Sequence, residues 1–433
     1  MKFLTSALAV AGCFTWLTPG LVAQETNKSP KLQGYYTYKP ARHTDVERVK
    51  GQSENSLAIT PTLPLWVYRT ESPRDNNSYT GVMVGHNPFQ SERSVSVPAY
   101  IVPIVFQTNT IGQSVNPKTG IISTTPGSTR FDPTAPDYGC LAAPNNVPLT
   151  LVEQSPIFTN AKFNFGGSFV GETQYVDAFQ RANFWQAIGA DASSNYHVLL
   201  APRVLAPVFI NVPAQYGTTF PQSLARSCGP LGILDITWFD TYVTNQILPA
   251  LAAQGVNPST FPVLLMNNVV LAFGDTNLGQ CCVLGYHGTT SFPIQTYSPV
   301  DFDTTGLFGS AAEDTTVMSH EIAEWMDDPF GDNATPAWGG TGQVASSCQA
   351  NLEVGDPLTG VQAPRIYMPN GFTYHLQEQA FYSWFFGGPS IGIHGWYSNN
   401  GTFLSDAGPV CGSFSAASAT RQGAGELEIT PIH

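Results

Sequence analysis

The chain has 433 residues, 42% hydrophobic and only 11% charged, where a typical soluble domain carries about 25% charged residues. That length suffices for one large domain or two ordinary ones with a real core, and 40 Gly and 34 Pro point to many turns and short strands rather than long helices. The net charge is −13, and beyond Lys162 five arginines and no lysine face 21 acidic residues, a balance that repels phosphate backbones, argues against nucleic acid as a partner and suits a cation.

Lys2 and the apolar run from Phe3 to Val10 read as the start of an export signal, with Leu21-Val22-Ala23 an acceptable cleavage site before Gln24. Val10-Ala11-Gly12-Cys13 also has the form of a bacterial lipobox, which would lipidate Cys13. Secretion without an anchor is the favoured reading, because the apolar stretch before Cys13 is short and apolar residues continue past it. No later run of about 18 apolar residues occurs, so no transmembrane segment is predicted. Setting Cys13 aside leaves Cys140, Cys228, Cys281, Cys282, Cys348 and Cys411. An even number in an exported chain suggests disulfides, and six cysteines allow 15 pairings. Adjacent Cys281 and Cys282 lack a zinc-ribbon spacing, which argues against a thiolate metal site.

Residues 24–95 are polar and rich in Asn, Ser, Thr, Arg and Lys, and read as an extended arm or a propeptide. The main body, 96–433, begins with a buried strand over Val97 to Gln107, apolar and β-branched. Asn109 to Asn146, rich in Pro, Gly, Thr and Asp, reads as a long loop region. Thr173 to Ile188 is helical, with Tyr175, Phe179, Ala182 and Trp185 on one face. Tyr196 to Ala201 and Val208 to Val212 are strands. Thr237 to Ala253 is a second helix, with Trp238, Tyr242 and Leu248 as core contacts, kinked or ended by Pro249. Phe261 to Phe273 is one long buried strand or a pair. Tyr374-His375-Leu376-Gln377-Glu378 and the aromatic Phe381 to Phe386 read as core strand, with a substrate-lining role the alternative, and His394 and Trp396 as structural. The class is α+β, a single large mixed and β-rich domain around one core.

A third helix is predicted from Glu313 to Asp327, with Val317, Met318, Ile322, Trp325 and Met326 buried and Pro329 and Gly331 stopping it. His320 and Glu324, four residues apart, stack on one side of it. Two donors one turn apart can grip the same ion. In the zinc-protease pattern H-E-x-x-H the histidines are ligands and the Glu is the general base; here the second His is replaced, giving H-E-x-x-E, and a carboxylate also ligates zinc. Glu321 then points to the neighbouring side, where it could take a proton from water. The plainer alternative is a solvated acidic helix face. No G-x-S-x-G, P-loop or dinucleotide fingerprint stands at a strand-to-helix junction.

The string Ser319-His320-Glu321-Ile322-Ala323-Glu324, followed by Asp328-Pro329, resembles a family of exported bacterial proteins whose signature reads Ser-His-Glu-Leu-Ala-Glu and then Asp-Pro. It is also similar to the core of the plant phosphate-induced, exordium-like family. Gly285-Tyr286-His287-Gly288 resembles an upstream segment of that family, and Glu353-Val354-Gly355-Asp356 a later one, all three in family order. The resemblance spans roughly residues 260–390. It departs at Ile322, which stands for Leu, and at Pro357, where the family soon has a Cys; that leaves the local disulfide pattern open but not the carboxylates.

The resemblance implies a zinc-metallopeptidase-like domain with a zincin-like active-site helix: His320 and Glu324 as metal ligands, Glu321 as catalytic base, and a third ligand from downstream. Glu353 is the first choice for that ligand, with Asp356 orienting one of the others from behind. Asp328 and His287 are weaker candidates; His287 could instead hydrogen-bond a transition state or be structural. An oxygen-rich set of Glu324, Asp328, Glu353 and Asp356 could suit calcium, against which His320 argues. The expected substrate is a peptide or protein. The rival reading is a non-catalytic extracellular or cell-surface protein with a structural metal site.

Overall fold

Alternating and all-apolar runs set the strands of this chain, and the order in which they pair sets its core. The computed structural model describes residues 62–411, apart from 91, 116–121, 142, 144, 221–226, 275–280, 292 and 407–410. The export signal, Cys13 and residues 24–61 lie outside the described residues. From residue 62 the chain is already part of the body: β1 (Leu65–Glu71) and β2 (Ser78–Val84) form an antiparallel hairpin. Leu63, Trp66, Tyr68, Met83 and Val84 sit in the main core. The polar average of the expected arm concealed these apolar positions.

The largest sheet is organised by β3 (Ser94–Val115). Its first half lies parallel to β7 (His197–Val204) and β11 (Phe261–Asn267). Its second half pairs in parallel with β8 (Val208–Asn211) and antiparallel with β4 (Ile122–Phe131). The antiparallel pairing of β3 with β4 corrects the reading of Asn109 to Asn146 as loop: the Thr and Ser in that stretch are compatible with a ladder, and among the described residues the irregular part is the one after Phe131. β15 (Thr296–Phe302) continues the sheet parallel to β11, and β14 (Gly288–Thr289) ends it. Every residue of β11 and β15 is buried, as parallel strands covered on both faces require.

The run from Phe261 to Phe273 is a pair of strands in two sheets. After β11 the chain turns at Asn268, at φ 56°, into β12 (Val269–Ala272). That strand belongs to a four-stranded sheet with β9 (Gly217–Phe220), β10 (Leu231–Asp235) and β13 (Cys281–Val283). The intervening segments are a hairpin of β5 (Ala161–Phe165) and β6 (Ser168–Thr173) and the expected first helix, Tyr175–Asn183. The second helix keeps going through Pro249. Ile236–Tyr242 passes into a π turn at Val243–Ile247 and then Leu248–Ala252, so the wider turn before the proline accommodates its missing N–H. Ile236, Phe239, Val243 and Leu251 make its core face, while Trp238 and Tyr242 are only partly buried. Tyr382–Phe386 is a short helix, not a strand.

The third helix, Thr316–Asp327, lies on β15 and β2 and against the Tyr175–Asn183 helix. Trp325 fixes it there: its indole stacks on Phe261 with ring centroids 3.8 Å apart and donates to Thr296 Oγ1 at 3.0 Å. Truncating such a buried indole costs about 3–5 kcal/mol. All twelve residues of this helix are buried, His320, Glu321 and Glu324 included, so its acidic side is not a solvated face. The six cysteines pair as Cys140–Cys228, Cys281–Cys282 and Cys348–Cys411. Among the described residues no helix is long and apolar enough to cross a membrane.

Candidate metal centre

Helical spacing brings His320 and Glu324 together as expected, with His320 Nε2 3.2 Å from Glu324 Oε1. The third donor is Asp356, whose Oδ1 lies 3.5 Å from the same nitrogen. The ligand atoms of His320, Glu324 and Asp356 all fall within 4.8 Å of one another, and all three side chains are fully buried. Asp356 opens a short 3-10 turn, Asp356–Leu358, and the backbone N–H groups of Gly355 and Asp356 donate to Glu324 Oε1 at 3.1 and 3.2 Å. The loop is thereby clamped to the helix. A side chain at Gly355 would collide with the His320 imidazole, so the approach needs glycine there.

Glu353 is not a member of this group, which reverses the expected ranking of the two downstream carboxylates. Its Oε1 accepts from Asn351 Nδ2, and its Oε2 is 4.0 Å from His287 Nε2. Asp328 is not a ligand candidate either. Its carboxylate accepts from the backbone N–H groups of Asp332 and Asn333 at 2.9–3.0 Å, closing the turn after the helix. The proposed oxygen-only calcium set is therefore not assembled among the described residues.

His287 is more central than its sequence ranking implied. It forms a second three-donor group with Glu321 and Glu324, its Nδ1 3.5 Å from Glu321 Oε2 and 3.8 Å from Glu324 Oε2. The strand segment that carries it presses on the helix: a Cβ at Gly285 would lie 2.6 Å from Val317 Cγ1 and 3.1 Å from Glu321 Cγ. Tyr286 next to it donates to Asp240 Oδ1 at 2.8 Å, anchoring the segment to the opposite side.

Gln377, set aside as part of a core strand, holds the imidazole of His320. Its Nε2 donates to the Gly355 carbonyl at 2.6 Å, and its backbone N–H donates to Ser319 Oγ at 2.9 Å. A carbonyl can only accept, so Gln377 Oε1 must face His320 Nδ1, 3.0 Å away, and accept its proton. Once Nε2 gives up its proton to make room for an ion, the neutral ring offers that ion the Nε2 lone pair among the carboxylates. This is how metal-binding histidines are oriented by the groups behind them. No motif marks Gln377; an amide 57 residues from His320 is invisible to spacing arguments.

The electrostatics match a site that expects positive charge. Burial pushes the Glu321 carboxyl well above the usual carboxylate range; His320 pulls it down, and Glu324, Asp356 and Glu353 push it further up. Glu324 is raised by burial and Asp356 against the opposing pull of His320. Burial alone would lower His320, but Glu324, Asp356 and Glu321 outweigh it and hold the imidazole well above its ordinary value. Neither oxygen of Glu321, nor Oε2 of Glu324, accepts a hydrogen bond among the described residues. Carboxylates buried without donors are costly unless a cation or a proton compensates them. These residues could hold a metal ion. Compared with protein family models, with curated proteins and with solved structures, the chain finds no match in any of the three.

Proposed function

We propose that the chain is an exported zinc-dependent hydrolase of peptide bonds, its ion held by His320, Glu324 and Asp356. Export is supported by the N-terminal signal pattern and by three disulfide pairs, which suit an oxidising compartment. Zinc is favoured over calcium because an imidazole stands in the donor set. Donors gripping an ion through bonds about 2.0–2.2 Å long stand roughly 3–4 Å apart, and the separations of 3.2 and 3.5 Å fall in that range. When bound, zinc would supply a water with its pKa lowered toward about 7 and polarise the scissile carbonyl.

The observation that carries the hydrolase reading is Glu321. Its Oε1 is 4.0 Å from His320 Nε2, beside the ligand nitrogen, and neither of its oxygens is engaged by a hydrogen-bond donor among the described residues. A purely structural ion has no need of another buried carboxylate at that position. From that position Glu321 is placed to accept a proton from water and return it to the leaving amine. Gln377 keeps His320 in the tautomer that leaves Nε2 for the ion. Zinc content and peptide-library cleavage by the purified chain provide the test. Glu321→Gln should retain the metal and lose about 10²–10⁴ in rate. A zinc-loaded wild type that cleaves no peptide overturns the hydrolase reading.

One observation favours a second reading, a non-catalytic extracellular protein with a structural ion. His320, Glu321, Glu324 and Asp356 are all 0% exposed, and structural sites are closed where catalytic ones keep an open position. On that reading chelation lowers the melting temperature while no substrate is ever turned over.

A further inference from the structure

The two donor groups share one residue, Glu324, and use different oxygens of it. Oε1 faces His320 and Oε2 faces His287. We propose that the centre takes a second, weaker divalent cation at His287, Glu321 and Glu324, and that this ion silences the chemistry of the first by occupying Glu321. The inference rests on the hydrolase reading for its effect on activity, but not for the site itself.

Three features of the second group point to an ion. Its ligand atoms lie within 4.8 Å of one another, and all three residues are buried. His287 Nε2 is 3.0 Å from the carbonyl of Asp328, which can only accept, so Nε2 carries the proton. Nδ1 is then the ring atom turned toward Glu321 and Glu324, and in the neutral ring it offers a cation its lone pair. Finally, three of the four oxygens of Glu321 and Glu324 accept no hydrogen bond among the described residues, and two of them, Glu321 Oε2 and Glu324 Oε2, face His287. One ion at His320 leaves them uncompensated.

A carboxylate that bridges through its two oxygens is a common way to hold two ions, roughly 3.5–4 Å apart. The second site is the weaker one because its donor separations of 3.5 and 3.8 Å exceed the 3.2 and 3.5 Å of the first, and because a first ion repels a second. Its occupation removes no ligand from the first ion. It removes the proton acceptor, since the Glu321 carboxylate cannot both bind a cation and take up a proton.

Zinc alone, titrated into the metal-free full chain and followed by calorimetry and native mass spectrometry, provides the test. The wild type should bind about two ions in separate steps. His287→Ala should lose the weaker step and keep the tighter one; Glu321→Gln, the second variant, should do the same. Peptide cleavage by the wild type should rise to a maximum near one ion and fall as the second binds, a fall absent from His287→Ala. A wild type that saturates at one ion, or two ions still bound to both variants, overturns the inference. One ion with active hydrolysis leaves the hydrolase reading standing without it, and two ions with no hydrolysis leave the site standing without the hydrolase.

Discussion

The Thr316–Asp327 helix has a histidine–carboxylate cluster just ahead of its start and another at its middle, and the two are built differently. Ahead of it, His375 stands between Asp314 and Glu313, its Nδ1 2.6 Å from Asp314 Oδ2 and its Nε2 3.0 Å from Glu313 Oε2. Both ring nitrogens meet carboxylates at contact distance, and the hydrogen bond to Asp314 raises the histidine's pKa. That imidazole holds its protons and pins Gln377's neighbourhood to the helix. At the middle, one nitrogen of His320 is tied to a neutral amide, and the other faces three carboxylate oxygens fanned out at 3.2, 3.5 and 4.0 Å. Residue types are the same in both places. The group behind the ring, and whether the carboxylates touch it or stand off, separate a salt bridge from a donor set.

The sharpest way to break that contrast is to delete each histidine. His320→Ala should abolish the tighter zinc-binding step, because the imidazole supplies the only nitrogen of the first donor set. His375→Ala should leave metal content unchanged and lower stability by about 1–2 kcal/mol, read from denaturant unfolding. Metal lost equally from both variants would erase the distinction.

Acidity gives the next largest effect. In the metal-free protein, His320, Glu321 and Glu324 all have folded pKa values above their unfolded ones, and burial lifts Asp327 to about 7 despite its hydrogen bond from Gln180. Each such group contributes stability that is complete below its unfolded pKa and is lost as pH rises through the folded one. The metal-free protein should therefore be more stable near pH 5 than near pH 8, by on the order of a few kcal/mol. Zinc should reverse the trend, since its ligands must be deprotonated and the ion replaces the protons. Thermal unfolding across this range, with and without zinc, reads both signs; a metal-free protein that gains stability from pH 5 to 8 contradicts the balance of charges drawn for the site.

What could be read from the sequence follows from how local each feature is. A spacing of four residues puts His320 and Glu324 on one side of any helix, so that pair needed no tertiary information. The buried strands Val97 to Gln107 and Phe261 to Phe273 were legible because continuous apolar runs admit few alternatives. The choice between Glu353 and Asp356 was not, since both arrive on the same loop. What brings Asp356 next to His320 is the 3-10 turn and two backbone N–H bonds to Glu324, which depend on where that loop lands. His287 and Gln377 reach the cluster from other segments of the chain, one at the edge of β14 and the other shortly before the Tyr382–Phe386 helix. Composition also misled: the polar average over 24–95 hid Trp66 and Tyr68, and Thr-rich sequence after Asn109 passed for loop while forming a ladder. Gly285 and Gly355 could have been read as marks of close approach, because each is the small residue in a motif that touches the helix.

The smallest of these effects tests the amide behind His320. Gln377→Ala removes the acceptor for Nδ1 and the bond to Gly355 without altering any donor to the ion. The imidazole is then free to take the other tautomer, with its proton on Nε2, and the loop carrying Asp356 loses one of its ties. Loss of such a supporting group weakens metal binding by about 10–100-fold, which corresponds to roughly 1.4–2.8 kcal/mol. Competition with a chromogenic chelator resolves a difference of that size. An affinity within twofold of wild type would mean that Glu324 and Asp356 alone orient the ring, and that the amide behind the imidazole is not what distinguishes the middle of the helix from its start.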